Sequence, residues 1–244
     1  MRTIGKTDKG KVRRTNQDCF SVIELANGLT AVVLCDGMGG AKGGNVASDT
    51  AVTIISEHIK RFAYDNMRSQ SIKSLLESAV MAANATIFDR AENDDNLSGM
   101  GTTVVAAIFC DNVAYITHAG DSRAYIIKNK EKLEQITTDH SIVQHLYEIG
   151  QISKEEALNH PTRNVITRAV GVQESIKTDH DEIDYGDDDI FLFCSDGLTN
   201  YVSDEDILST VRDNDFYSCA DILVEKALDG GGGDNVTVVL ASEG

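Results

Sequence analysis

Seven short runs dominated by apolar residues, at 20–25, 30–35, 102–109, 112–118, 123–127, 190–194 and 236–240, constrain this chain more than any other feature. Their Val, Ile, Phe and Tyr content and their Gly, Asn and Asp boundaries predict strands. Asn27-Gly28 between the first two, and Asp111-Asn112 between the third and fourth, read as tight hairpin turns and therefore imply antiparallel neighbours. Four of the runs lie beside acidic turns: VVLCDG at Asp36, THAGDSR at Asp121, FLFCSDG at Asp196 and GGGGDNVTVV at Asp234. A single Asp-Gly pair is an ordinary turn. Four such turns at strand ends, with a further acidic cluster at Asn16-Gln17-Asp18, let a sheet bring carboxylates from distant sequence to one point.

Helical periodicity fills the gaps. Ala47, Ala51, Ile54, Ile55, His58, Ile59 and Phe62 share one face of a predicted helix, and Ile72, Leu75, Leu76, Ala79, Ala83 and Ile87 share one face of the next. Ser203 with Asp206 reads as a capping box opening a third, and Phe216, Ala220, Leu223, Val224 and Ala227 mark a fourth. Antiparallel strand groups separated by two helix pairs predict an α+β fold: a sandwich of two antiparallel sheets with a helix pair on each outer face, in four layers αββα. Between 139 and 171 the pattern changes, with a short helix ending at Gly150, a cap signal at Ser153 with Glu156, and the only proline, Pro161. This segment reads as a surface insertion near the strand ends, and 184–189 as a short acidic turn. No repeat or linker divides the chain, so 1–244 is expected to form one domain.

Composition narrows the function. With 22 Lys and Arg against 39 Asp and Glu, the formal charge is −17, which repels nucleic acid and anionic membranes. The five cysteines, at 19, 35, 110, 194 and 219, have no framework spacing and read as reduced core residues. With neither a signal-like segment nor a long apolar run, the chain is expected to be soluble and cytoplasmic, with no membrane insertion.

Asp, backbone carbonyl and water suit Mg²⁺ or Mn²⁺ better than zinc or copper, and no HExxH, CxxC or closely spaced His pair competes. Two such ions sharing a bridging water lower its pKa, the arrangement used most often for phosphoester hydrolysis. Arg13, in GKVRRTNQD, is the candidate phosphate fork, since a guanidinium binds phosphate bidentately.

GKVRRTNQD, VVLCDGMGG, SGMGTTVVAA, THAGDSRAY, TTDHS, RNVITRAVG, LFCSDGLTNYV and GGDNVTVV, in this order from residue 10 to 239, closely resemble the motif series of the metal-dependent protein phosphatase family, type 2C, in its bacterial serine/threonine branch. The resemblance covers practically the whole chain. It implies a binuclear metal site at one end of the sandwich and hydrolysis of phosphoserine and phosphothreonine by a metal-bridged water, with no phospho-enzyme. By motif match, Asp36 bridges two Mn²⁺ or Mg²⁺ ions, the Gly37 carbonyl completes the first, and Asp196 and Asp234 hold the second. Asp121 matches a position used with Asp196 for a weaker third ion, Asp18 the acidic residue contacting metal-bound water, and Arg13 the phosphate-binding arginine. Thr102 falls near the site without assigned chemistry. The segment at about 145–168 matches the family's flap, which governs substrate access. Implied partners are phosphorylated proteins and a serine/threonine protein kinase with its targets.

Two positions depart from the pattern. Gln17 stands where relatives often carry a Glu ligand, and Met38 where many eukaryotic members have a His proposed as general acid. His140 and His160 are better placed than His58 and His118 to meet substrate, the latter two reading as core or supporting residues. The alternative function is a catalytically weak or dead relative that binds phosphoproteins or a kinase; it predicts loss of a core ligand, and Asp36, Asp196 and Asp234 are all present. A Ca²⁺ module predicts DxDxDG loops, which do not occur.

Overall fold

The computed structural model of the chain describes residues 1–25, 28–64 and 66–244, and within these the side chains of all but 40–42. Among the described residues, eleven strands run in order: β1 (Arg2–Asp8), β2 (Asp18–Glu24), β3 (Thr30–Met38), β4 (Gly101–Thr102), β5 (Val104–Cys110), β6 (Val113–Ala119), β7 (Arg123–Lys128), β8 (Lys132–Gln135), β9 (Asp179–Asp184), β10 (Ile190–Cys194) and β11 (Val236–Ser242). They form two antiparallel sheets, one ordered β1-β11-β10-β7-β8 and the other β2-β3-β5-β6-β9, with β4 paired to the end of β3. Helices α1 (Gly40–Phe62) and α2 (Ser69–Asn93) follow β3. Helices α3 (Ile142–Glu148) and α4 (Lys154–Leu158) lie in the insertion, and α5 (Asp196–Thr199), α6 (Asp204–Asp213) and α7 (Phe216–Asp229) separate β10 from β11.

Strand periodicity explains the layering. Along β3, Val32 and Leu34 enter a cluster between the sheets with Val105, Phe109, Phe191 and Phe193, while Ala31, Val33 and Cys35 enter a second cluster with α1 and α2. Both faces are therefore buried, which is why β3 reads as a continuous apolar run. The third cluster joins β10 and β11 to α6 and α7 through Leu192, Leu240, Ile207 and Leu223. This is the expected αββα arrangement.

Strands β1, β8 and β9 are edges with no apolar run to read, unlike the edge strand β2, where Phe20, Val22 and Ile23 supply one. Their sequences, RTIGKTD, KLEQ and DHDEID, carry the charge that protects an unpaired edge from another chain. Asp111 and Asn112 take φ of 52° and 61°, the left-handed pair that a two-residue hairpin needs, and join Cys110 to its partner Val113. Asn27 of the other predicted turn lies outside the described residues. Helix α1 starts at Gly40, before its first periodic residue. Its buried face runs through Ala47, Ala51, Val52, Ile55 and Ile59, leaving His58 half-buried and Phe62 exposed.

Ser153 and Glu156 form the complete capping box. The pair at Ser203 and Asp206 forms only half of one: Ser203 Oγ accepts from Asp206 N at 3.1 Å, and the shorter Asp side chain takes the Ser203 hydroxyl at 2.7 Å instead of the cap N–H.

Phe191 is fully buried between the sheets, its ring meeting Phe109 at 5.1 Å and Tyr185 at 5.2 Å edge to face. Truncating Phe191 to Ala should cost about 3–5 kcal/mol of unfolding free energy, read by urea denaturation. A loss below about 1 kcal/mol would show that the sheet interface collapses to fill the space.

Candidate metal centre

Strand direction decides which residues can meet. Successive antiparallel pairings put the start of β2 and the ends of β3 and β6 at one end of the six-stranded sheet, and the end of β10 and the start of β11 at one end of the other. Asp18 opens β2 directly opposite Asp36 of β3, and Asp121 follows β6. Asp196 opens α5 just after β10, and Asp234 precedes β11 by two residues. Asp36, Gly37, Asp121, Asp196 and Asp234 line one cleft of about 520 Å³, together with Arg13, Gln17, Met38, Thr103, Asn164 and Ile166. Asp18 lies buried beneath it.

Hydrogen bonds hold this floor rigid. Asn16 Nδ2 donates to Thr7 Oγ1 at 2.8 Å, and Thr7 and Thr237 hydroxyls meet at 2.7 Å. Thr237 and Ser195 hydroxyls each donate to Asp18 Oδ2 at 2.7 Å, while Thr237 N donates back to Ser195 Oγ at 3.0 Å. Asp18 thus ties the two sheets together. Asn235 secures the loop carrying Arg13: its Oδ1 accepts from Gln17 N at 2.8 Å, and its Nδ2 donates to the carbonyls of Lys9 and Thr15. The Asp36 backbone is clamped by Thr103 Oγ1 on its N–H at 2.9 Å and Thr102 Oγ1 on its carbonyl at 2.8 Å. A Cβ on Gly37 would collide with the Gly44 carbonyl, and one on Gly197 with the Asn235 carbonyl, so glycine allows these backbones to close up.

Crowding leaves the carboxylates electrostatically strained. Burial, then repulsion from Asp18, Asp196, Asp121 and Asp234, raises the Asp36 carboxyl well above its ordinary range. Burial followed by repulsion from Asp121 and Asp234 pushes Asp196 to about 8. Asp121 rises to about 6 through burial and the charge of Asp139, and Asp18 to about 6 through burial despite its hydroxyl donors. Arg13 Nη2 reaches Asp234 Oδ2 at 2.6 Å, and Arg14 lines the same cleft. Asp18 Oδ1 is buried with no hydrogen-bond partner. An all-oxygen donor set, in mutual repulsion and holding a buried unsatisfied oxygen, fits hard divalent cations such as Mn²⁺ or Mg²⁺.

His140, read from sequence as better placed to meet substrate, is not among the residues lining the cleft. It is buried, its Nδ1 accepts from Gly120 N at 3.1 Å, and its Nε2 lies 3.1 Å from Asp179 Oδ2. Burial lowers its pKa, in keeping with a neutral ring whose Nδ1 accepts. His160 bonds within its own loop, to Thr162 Oγ1 at 2.9 Å. His118 is buried, as expected, and His58 hydrogen-bonds Ser78 on α2.

His118, His140 and Asp179 also offer ligand atoms within 4.8 Å of one another. Their geometry is that of an ion-pair network. Arg168 Nη1 lies 2.9 Å from His140 Nε2 and 2.8 Å from Asp179 Oδ1, and the two imidazoles stack at 12°, so their in-plane lone pairs do not converge.

Sequence reading gave no role to Ser195, Thr237, Thr103 or Asn235, because hydroxyl and amide supports have no spacing signature. Asp139 is a further omission; it grips Arg123 with two oxygens at 2.7–3.1 Å, joining the TTDHS and GDSR motifs.

The chain matches Protein phosphatase 2C over residues 9–224. It is 40% identical over 238 residues to the serine/threonine phosphatase stp of Listeria welshimeri, covering 96% of this chain and 93% of that one. The crystal structure of serine/threonine phosphatase Stp1 from Staphylococcus aureus superposes with a TM-score of 0.92 at 34% identity, covering 98% of this chain and 94% of Stp1. The catalytic domain of serine/threonine protein phosphatase PstP, solved with two manganese ions, superposes with a TM-score of 0.83 at 37% identity, covering 99% and 97%. The chain belongs to the protein phosphatase 2C family.

The raised carboxyls carry a signed consequence. An unfolded Asp releases its proton near 3.8, whereas Asp18 and Asp121 hold theirs to about 6 and Asp196 to about 8. The folded, metal-free chain therefore binds the extra protons, and its stability falls as pH rises through that window. In chelator, Tm should drop between pH 5 and 8. Excess Mn²⁺ should raise Tm more at pH 8 than at pH 6, because ligands must be deprotonated to bind. A chelated Tm that rises across this range would contradict the assignment.

Proposed function

We propose that this chain hydrolyses phosphoserine and phosphothreonine in proteins as a metal-dependent phosphatase. The convergence of five aspartates and Arg13 at one end of the sandwich carries the reading. In it, Asp36, the Gly37 carbonyl, Asp196 and Asp234 would hold two Mn²⁺ or Mg²⁺ ions, and Asp121 with Asp196 would hold a weaker third. When bound, the ions supply an activated water and neutralise phosphate charge.

The chain's own residues do the rest. Asp18, fixed by Ser195 and Thr237, keeps Oδ1 free to accept a proton from the attacking water. Arg13, half exposed beside Asp234, is placed to release that carboxylate and fork onto the substrate phosphate. Met38 cannot donate a proton, so the leaving alkoxide takes its proton from solvent or from a neighbouring acid. The insertion helices α3 and α4 sit between Ser141 and Ile166, which pair across its base, and Asn164 and Ile166 reach the cleft. This segment acts as the flap. The chain works as one catalytic domain in the cytoplasm, on targets of a serine/threonine kinase. Among the described residues, no helix is long and apolar enough to cross a membrane.

Hydrolysis of p-nitrophenyl phosphate and a phosphothreonine peptide, after chelation and with Mn²⁺ or Mg²⁺ added back, tests this reading. Wild type should recover. Asp36→Asn should lose at least about a hundredfold in kcat with its fold intact by circular dichroism, as expected for a lost shared metal ligand. Arg13→Ala should raise KM for both substrates by roughly tenfold, a charged hydrogen-bond pair being lost. Metal binding without turnover in wild type would favour a regulatory, non-catalytic relative.

A further inference from the structure

Beside the aspartate cleft lies a second hollow of about 260 Å³, and Met38 and Ile166 belong to the walls of both. Met38, Ile166, Val172 and Ile176 give it an apolar side, and Thr167, Gln173 and Ser175 a polar one. A Cβ at Gly101 would come within 2.6 Å of Val172 Cγ2 and 3.2 Å of Met38 Cε, so the bare Gly101 backbone lets both side chains settle against it. Ile176 continues the surface, anchored to the helix-side core. Arg168 and Lys177 supply the charge, and among the described residues no carboxylate lines the hollow, in a chain whose net charge is −17. Arg168 is held by Asp179, whereas Lys177 is exposed and in no ion pair among the described residues.

The outer wall is built in advance. Asn84, 2% exposed on α2, donates through Nδ2 to the carbonyls of Gln173 at 2.9 Å and Glu174 at 3.1 Å, and its Oδ1 accepts from Gly171 N at 2.7 Å. One buried amide thus fixes segment 171–174 and leaves Val172 44% exposed at the rim. An exposed apolar side chain on a pinned backbone, continuous with a catalytic cleft, suits recognition better than hinge motion.

We propose that this hollow seats the polypeptide flanking the phosphorylated residue, with an apolar side chain on Met38 and Val172 and an acidic one at Lys177. The proposal rests on the phosphatase reading and deepens it: the substrates favoured are phosphoproteins with apolar and acidic residues on one side of the phosphate. A small aryl phosphate does not extend beyond the aspartate cleft and is indifferent to these residues.

The test uses phosphothreonine peptides differing only in flanking residues, Leu and Asp against Gly and Lys on each side in turn. Val172→Asp, Val172→Ser and Lys177→Glu alter exposed side chains and should leave the fold intact. Wild type should prefer the Leu/Asp flank by about tenfold in kcat/KM, a modest apolar burial plus an exposed ion pair. Val172→Asp should abolish the Leu preference and Val172→Ser weaken it. Lys177→Glu should invert the Asp-over-Lys preference, with p-nitrophenyl phosphate hydrolysis staying within about twofold of wild type. Flank preferences unchanged in all three variants would overturn the proposal while the phosphatase reading stands. Fluorescence anisotropy of the same peptides, fluorescein-labelled, separates the opposite case. Flank-dependent binding that these variants remove, in a protein inert toward p-nitrophenyl phosphate, would support the hollow and sink the phosphatase reading.

Discussion

Repulsion among clustered carboxylates is the interaction around which this molecule is organised. Asp18 and Asp36 face each other across β2 and β3, a like-charge pairing that a sheet ordinarily avoids. Asp121, Asp196 and Asp234 add to the same field from other strand ends. Such an arrangement persists only if the backbones that carry it are held elsewhere. The sandwich supplies that restraint through the aromatic cluster between the sheets, the hydroxyl chain from Thr7 through Thr237 to Asp18, and Asn235 gripping three backbone groups. The metal-free fold relieves this repulsion by holding extra protons, which a divalent ion would have to displace, and the strain that weakens the chain at high pH is what such an ion would relieve.

A second consequence concerns how the insertion attaches. His140 bonds to Gly120 through both its backbone N–H and its ring, and its carbonyl accepts from Thr167 at 2.7 Å. The strand end that presents Asp121 and the exit of the insertion therefore share one residue. Arg168 and Asp179 brace it from outside. The network explains why a histidine in a motif next to the site is structural: both ring nitrogens are already engaged.

Much of this was legible in sequence, for physical reasons. Central strands are buried on both faces, so they appear as apolar runs, and α2 shows all six of its predicted face residues buried because its whole stripe packs on the sheet. Edge strands β1, β8 and β9 were missed because their charged, partly exposed sequences carry no apolar run. The start of α1 at Gly40 was missed because glycines at 43 and 44 pack through their backbones and carry no periodicity. In the site, Asp36, Gly37, Asp121, Asp196, Asp234 and Arg13 line one cleft, with Asp18 buried next to it opposite Asp36. What sequence could not show was the support: which hydroxyl donates to which carboxylate depends on two sheets meeting, not on spacing along the chain.

We propose that the strand ends form one cage in which the Asp36 carboxylate would be shared by two cations. Frozen-solution electron paramagnetic resonance during Mn²⁺ titration tests it most directly. Two ions bridged by one carboxylate couple their spins, so the hyperfine signal of isolated Mn²⁺ should fade as the second equivalent binds, and Asp36→Asn should retain the isolated signal. An isolated-ion spectrum in the wild type through two equivalents of tightly bound Mn²⁺ would contradict the account.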